Sequence, residues 1–142
     1  MPSIESELGA LLDAQSDAIR MKDLDRLMAL YSSDILYFDV VPPLQYAGSA
    51  ALRRRFAEWF DGYQSTIDLD VRDLRISASG EIAVVTRLSR ARGILKNGRA
   101  VGSWVRATST CHKATGEWLV THEHVSLPVD LESGTPAMGL TP

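Results

Sequence analysis

IAVVTRLSRARGILKNGRAVGSWVRATSTCHKATGEWLVTHEHVSL, residues 82–127, is the stretch on which the fold turns. Its β-branched and aromatic residues fall into long runs, Ile82 to Leu95, Ala100 to His112 and Trp118 to Leu127, separated by Asn97-Gly98 and Thr115-Gly116. Such pairs supply the positive φ that tight hairpin turns need, and Asn-Gly is the strongest of these signals for a type I′ turn. The stretch therefore predicts an antiparallel meander. Immediately before it, Thr66 to Ser77 adds another long strand, closed by Ser79-Gly80.

The first half has a different period. Ile4, Leu8, Leu11, Gln15 and Ile19 recur every three or four residues, one helix face interrupted only by Gln15. Ser3 is the expected N-cap, with Glu5 and Glu7 near the positive end of the helix dipole, and the helix runs from about Ser3 to Met21. Asp23 caps a second helix whose stripe of Leu24, Leu27, Met28 and Tyr31 reaches about Ser32. Ile35 to Val40 reads as a short strand, ended by Pro42-Pro43. Ser49 is expected to cap a third helix that buries Leu52, Phe56, Trp59 and Phe60 and stops at Gly62. From Asp130 onward, Gly134, Pro136, Gly139 and Pro142 predict a loose tail over 130–142.

Helices first and strands afterwards give an α+β class: three N-terminal helices packed on a strongly bent antiparallel sheet, a cone-shaped barrel with an internal pocket. The 142 residues, 45% hydrophobic and 23% charged, fit one globular domain spanning 1–142. A net charge of −3 supplies no field to gather nucleic acid, and Arg53-Arg54-Arg55 reads as a solvated helix face. Cys111 is the only cysteine, so no internal disulfide can form, and no Cys/His spacing resembles a zinc site. Met1 to Glu7 lacks the basic start and apolar run of a signal peptide, and no run approaches the ~20 apolar residues that span a bilayer. The expectation is a cytoplasmic protein with no membrane or nucleic-acid partner, no cofactor and no metal.

The order of elements, together with Tyr31-Ser32-Ser33-Asp34, Asp39-Val40-Val41-Pro42-Pro43 to Gly48, Trp104-Val105-Arg106-Ala107-Thr108 and Gly116-Glu117-Trp118 to Ser126, resembles the nuclear transport factor 2-like superfamily. That group includes ketosteroid isomerase and SnoaL-like polyketide cyclases, and the final block is similar to the hub domain of calmodulin-dependent kinase. The resemblance implies a small-molecule ligand, a homodimer formed through the outer sheet face, and Asp39, just before the proline-rich loop, as general base. It places the isomerase's oxyanion-hole tyrosine at Gln15 and its acidic partner near Trp104 to Arg106, where this chain has no carboxylate.

Residue by residue, several readings stay open. Asp39 is either a turn-capping carboxylate or a base, and base chemistry requires burial near Tyr37, Phe38 and Trp59. Gln15, on an apolar face, must meet either the protein or a ligand. His122, His124 and Ser126 share one face of the last strand, directed to the pocket or to a partner subunit. On that account His124 is the expected proton donor or acceptor, with His122 and Ser126 as substrate contacts. Arg106 has the parity of Trp104 and Thr108; inward it recognises an anion, outward it is solvated, and Arg87, Arg90 and Arg92 pose the same question. Trp59 is the expected pocket wall. The functional expectation is cofactor-free proton transfer of isomerase, cyclase or dehydratase type. The alternatives are a non-catalytic module for a small apolar or anionic ligand and an oligomeric scaffold with a vestigial pocket.

Overall fold

The computed structural model describes residues 2–142. α1 (Ile4–Arg20) starts where expected, with Ser3 Oγ accepting from Ser6 N at 3.1 Å, and it buries Leu8, Leu11, Gln15, Ala18 and Ile19. α2 (Leu24–Met28) is capped by the Asp23 carboxylate, which accepts from Arg26 N. It is one turn shorter than its stripe predicts. Tyr31 and Ser32 belong instead to β1 (Tyr31–Phe38). Leu30 O accepts from Val120 N at 2.9 Å, so the chain is already committed to a sheet partner where the helix would have continued. Helical spacing at Tyr31 was matched, but the ladder bond took the backbone.

β2 (Tyr46–Ala47) pairs with β1 and leads into α3 (Ser49–Asp61). The N-cap of α3 is Gly48, at φ 89°, rather than Ser49, and no side chain caps the helix. A positive φ at that corner suits glycine, and Gly48 N also donates to Ile35 O at 2.7 Å. α3 buries Leu52, Phe56 and Phe60, as the stripe predicts, while Trp59, expected with them, is half-buried.

The sheet continues with β3 (Asp68–Ser79), β4 (Ile82–Ile94), β5 (Ala100–Val101), β6 (Trp104–Ala114) and β7 (Glu117–Ser126). Its order is β2-β1-β7-β6-β4-β3, with β5 on β4; all pairs are antiparallel except β1 with β7. The meander from β3 to β7 matches expectation, but its turns exchange types. Thr115 and Gly116 both have positive φ, 51° and 83°, as a type I′ turn needs. At Asn97-Gly98 only Gly98 is positive; Gly98 N bonds Leu95 O and Leu95 N bonds Arg99 O, a three-residue loop with a glycine bulge.

Besides a register shift between β1 and β7 from Tyr31 to Leu36, two bulges curl the sheet. One lies in β3 beside Asp73, at φ 55°, and the other in β7 at Thr121, where Thr110 and Cys111 face His122 and Val120. An extra residue bends its strand and sharpens the twist, and the bent sheet closes around the helices. The core lies between α1, α3 and the concave face, centred on Leu8, Leu27, Ile35, Leu52, Ile67, Val85 and Val120. Beyond β7, where a loose tail is expected, β8 (Val129–Asp130) and β9 (Thr135–Pro136) pair as a small exposed hairpin. Among the described residues no helix is long and apolar enough to cross a membrane.

Candidate functional site

The open end of the cone holds a pocket of about 190 Å³. Apolar side chains from every layer form most of its wall, among them Ile19 from α1, Phe56 and Trp59 from α3, and Val105 and Val125 from the sheet. The polar groups enter at fixed places. Strand alternation sends Tyr37 and Asp39 inward from the end of β1, Arg87 and Ser89 from β4, and Glu123 from β7. The stripe of α1 brings in Gln15, and α3 brings in Arg55.

Five of the polar side chains form one buried network. Glu123, 3% exposed, accepts from Ser109 Oγ at 2.7 Å, Arg87 Nη2 at 3.3 Å, Gln15 Nε2 at 3.4 Å and Tyr31 Oη at 3.0 Å. Arg87 Nη1 also donates to Ser109 Oγ at 2.9 Å, and Gln15 Nε2 to Tyr31 Oη at 2.9 Å. A buried carboxylate is tolerable when a cation and several donors satisfy it, and here both conditions hold.

Nearer the mouth, Asp39 Oδ2 takes a hydrogen bond from Arg55 Nε at 2.8 Å and Oδ1 one from Val40 N at 2.7 Å. The expected turn-capping role and the pocket position therefore coexist. Asp39 and Arg55 expose only 9% and 18% of their side chains. The ionisable groups with charge on the wall are Asp39, Glu123, Arg55 and Arg87, two of each sign and paired. Burial, reinforced by the negative charge of Glu123, holds the phenols of Tyr31 and Tyr37 well above the usual tyrosine pKa, so both stay protonated. Tyr37 Oη has no protein partner among the described residues. Nor do any three histidine, cysteine or carboxylate side chains among them converge as metal ligands.

Of the residues singled out in the sequence, Gln15, Tyr37, Asp39 and Trp59 meet in the pocket. Trp104, Arg106, Thr108, His122, His124 and Ser126 lie together on the opposite, convex face. Arg106 Nε bonds Ser126 Oγ at 3.1 Å, and Thr108 pairs with His124. Trp104 carries the Arg90 guanidinium 5.0 Å above its ring. His122 Nδ1 contacts Leu36 O at 2.7 Å, and the rings of His122 and His124 pack edge-on against Phe38. For His122, His124 and Ser126 the cause is the bulge at Thr121. Trp118 and Val120 face inward; simple alternation would carry His122 and His124 in with them, but the extra residue hands the inward places to Glu123 and Val125. A one-residue slip exchanges the faces of a strand.

The same bulge hides Glu123 from sequence reading, and with it the part played by Arg87, Ser109 and Tyr31. A signal existed in β6, where Val105, Ala107 and Ser109 are small or apolar at alternate positions and Arg106, Thr108 and Thr110 are not. Arg55 departs from its expected place as well. Arg53 pairs with Asp25 on the surface and Arg54 is exposed, but Arg55, one step further around α3, turns inward to Asp39.

The family model described as SnoaL-like domain matches residues 8–130. Among solved structures, an NTF2-like protein of unknown function from Pseudomonas putida KT2440 is 28% identical, with a TM-score of 0.88 over 97% of this chain and 96% of its own. A ketosteroid isomerase-like protein from Erwinia carotovora atroseptica is 16% identical, TM-score 0.74, over 87% and 96% of the two chains. A protein provisionally named scytalone dehydratase, from Novosphingobium aromaticivorans, is 15% identical, TM-score 0.78, over 96% and 93%. These last two likenesses show the fold alone. No curated protein matches the chain.

Proposed function

The chain belongs to the SnoaL-like domain family, and from that premise we propose that it binds a small, neutral, largely apolar molecule and moves a proton on it, with Asp39 as acceptor. The observation that carries this reading is the pairing of Tyr37 and Asp39 at the end of β1. Two residues apart, they face the same pocket, one a protonated phenol with no protein partner and the other a largely buried carboxylate.

The volume supports a ligand of one or two rings, since a cavity of about 150 Å³ already holds a benzene. The balanced charges favour a neutral ligand, because an added anion would face two carboxylates whose arginines are already engaged. A base removes a proton from carbon efficiently when a donor steadies the oxygen that gains charge, and Tyr37 Oη is the free donor beside Asp39. His124, on the convex face, is replaced by Tyr37 as the second proton-handling group in this proposal. Neighbours named as isomerase-like or dehydratase are consistent with this class of chemistry.

The test is hydrogen exchange at the carbon next to the carbonyl of small cyclic ketones, followed by NMR in heavy water. Exchange that Asp39→Asn abolishes while ligand shifts persist supports catalysis. One observation favours a second reading, a non-catalytic binding module: the engagement of Asp39 by Arg55 at 2.8 Å, which occupies one oxygen of the carboxylate. Ligand binding by the wild type without any exchange would establish that reading.

We also propose that two copies associate through the convex face. Ile82 and Val84 on β4, 49% and 38% exposed, place two adjacent apolar side chains on that face. Sedimentation of the purified protein distinguishes dimer from monomer.

A further inference from the structure

Gln15 is 5% exposed and reaches into the pocket from α1. Its Nε2 is used twice, toward Tyr31 Oη at 2.9 Å and Glu123 Oε1 at 3.4 Å. A carboxylate can only accept, so the amide has one sensible orientation; reversed, its oxygen would oppose the glutamate. Gln15 Oε1 is left with no protein partner among the described residues. Among those residues, only Ser32 Oγ is both sealed from the cavity or solvent and unpaired. Gln15 Oε1 therefore opens on the pocket as an acceptor, beside polar groups whose charges are already paired within the protein.

Tyr37 Oη is the complementary group, a protonated hydroxyl on the wall with nothing from the protein bonded to it. Ligands that leave either group dry lose its hydration without replacement, and a buried unpaired acceptor is costly. We propose that Gln15 makes the pocket selective for neutral hydroxylated ring compounds, the ligand hydroxyl donating to Gln15 Oε1 and an oxygen of the ligand accepting from Tyr37 Oη. The position that the resemblance assigns to an oxyanion-stabilising donor thus presents an acceptor, and phenols, enols or hydroxy ketones bind there more tightly than bare ketones, ethers and carboxylates. This deepens the pocket reading above and rests on it.

The experiment titrates wild-type protein with phenol, its methyl ether anisole, and benzoate, following pocket methyl resonances by NMR. Phenol is expected to bind about tenfold more tightly than anisole, the scale of a hydrogen bond gained against an acceptor left unpaired, and benzoate more weakly than phenol. Gln15→Met, which keeps the length of the side chain and removes the acceptor, brings the phenol-to-anisole ratio below about threefold. Equal binding of phenol and anisole, no binding of phenol, or an unchanged ratio in Gln15→Met overturns the proposal. The wild-type ratio needs no variant to fold. The ratio is a binding measurement and involves no proton transfer, so failure of the proton-transfer reading is seen separately, in the exchange assay.

Discussion

Tyr31, the first residue of β1, donates its hydroxyl to Glu123 Oε2 in β7 at 3.0 Å. The bond ties the only parallel strand pair to the pocket floor, and it makes Glu123 the common partner of α1, β1, β4 and β6.

Glu123→Ala leaves the Arg87 guanidinium buried without its counter-ion, and removing one member of such a pair costs about 3–5 kcal/mol. Urea unfolding should show this loss as a lower midpoint. Glu123→Gln is expected to cost less, because its amide oxygen still accepts from Ser109. Combining Glu123→Leu with Arg87→Met should recover most of the deficit, since a buried ion pair is replaceable by apolar groups of similar size. A double variant no more stable than Glu123→Ala would mean that the network, rather than charge balance, holds the floor.

Asp39 and Arg55 form the other compensated pair, at 2.8 Å. Arg55→Met strands the Asp39 carboxylate, and Asp39→Asn relieves it, so the double variant should be more stable than the sum of the single losses predicts. A coupling of about 1–3 kcal/mol is expected from a four-member unfolding cycle. Strict additivity would show that solvent already screens the pair.

The order of elements was legible because period and turn chemistry agree along most of the chain: the stripe through Leu8, Leu11 and Ile19 buried its face, and the strands from Asp68 to Ser126 formed their meander. Gln15 was legible as a pocket group because a polar residue on an apolar face must have a partner. The last-strand residues His122, His124 and Ser126 face outward for one physical reason. Parity propagates along a strand only while the pairing has no bulge, and Thr121 carries no residue type that marks one. Tyr31 was misassigned because helical spacing and a strand start coincide there, and the choice is made by Val120, some ninety residues away.

Thr121 offers a direct check of that account. Deleting it removes the bulge and turns His122 and His124 toward the core while expelling Glu123 and Val125. The loss of the Arg87 counter-ion and the entry of two imidazoles should abolish cooperative unfolding. Thr121→Ala, which keeps the bulge and drops the hydrogen bonds of Thr121 Oγ1 with Thr110 O at 3.2 Å and His112 Nδ1 at 2.7 Å, should cost about 1–2 kcal/mol.

Cys111, fully buried in β6, has its thiol pushed up to about 11 by burial, with the charge of Glu123 adding to the effect. Its raised value favours the folded state below the thiol's unfolded pKa, and that contribution disappears as pH rises toward the folded value. At neutral pH the thiol should resist maleimide in the native protein and react only through global opening. Labelling rates that fall with added pocket ligand would report ligand-linked stability; fast labelling independent of urea would show a local opening of β6 instead.

Glu7 provides the acid-side counterpart at the far end of the molecule. It accepts from Trp118 Nε1 at 2.6 Å and from Lys113 Nζ at 3.1 Å, joining the first turn of α1 to the β6–β7 turn. The hydrogen bond from Lys113, followed by that from Trp118, lowers the carboxyl below its ordinary value, so the contact contributes above the unfolded pKa of about 4.3 and is lost as pH falls through the lower folded value. Asp70, lowered mainly by its bond from Arg92, has the same sign at the other edge of the sheet. The indole N–H resonance of Trp118 should therefore hold steady through neutral pH and move upfield only below the ordinary glutamate value. In Glu7→Gln, where no charge remains to be titrated, that resonance should start from a different position and show no such step. If the wild-type resonance moved instead near the ordinary glutamate value, the Lys113 and Trp118 bonds would not be holding the charge, and α1 would be anchored by its apolar face alone.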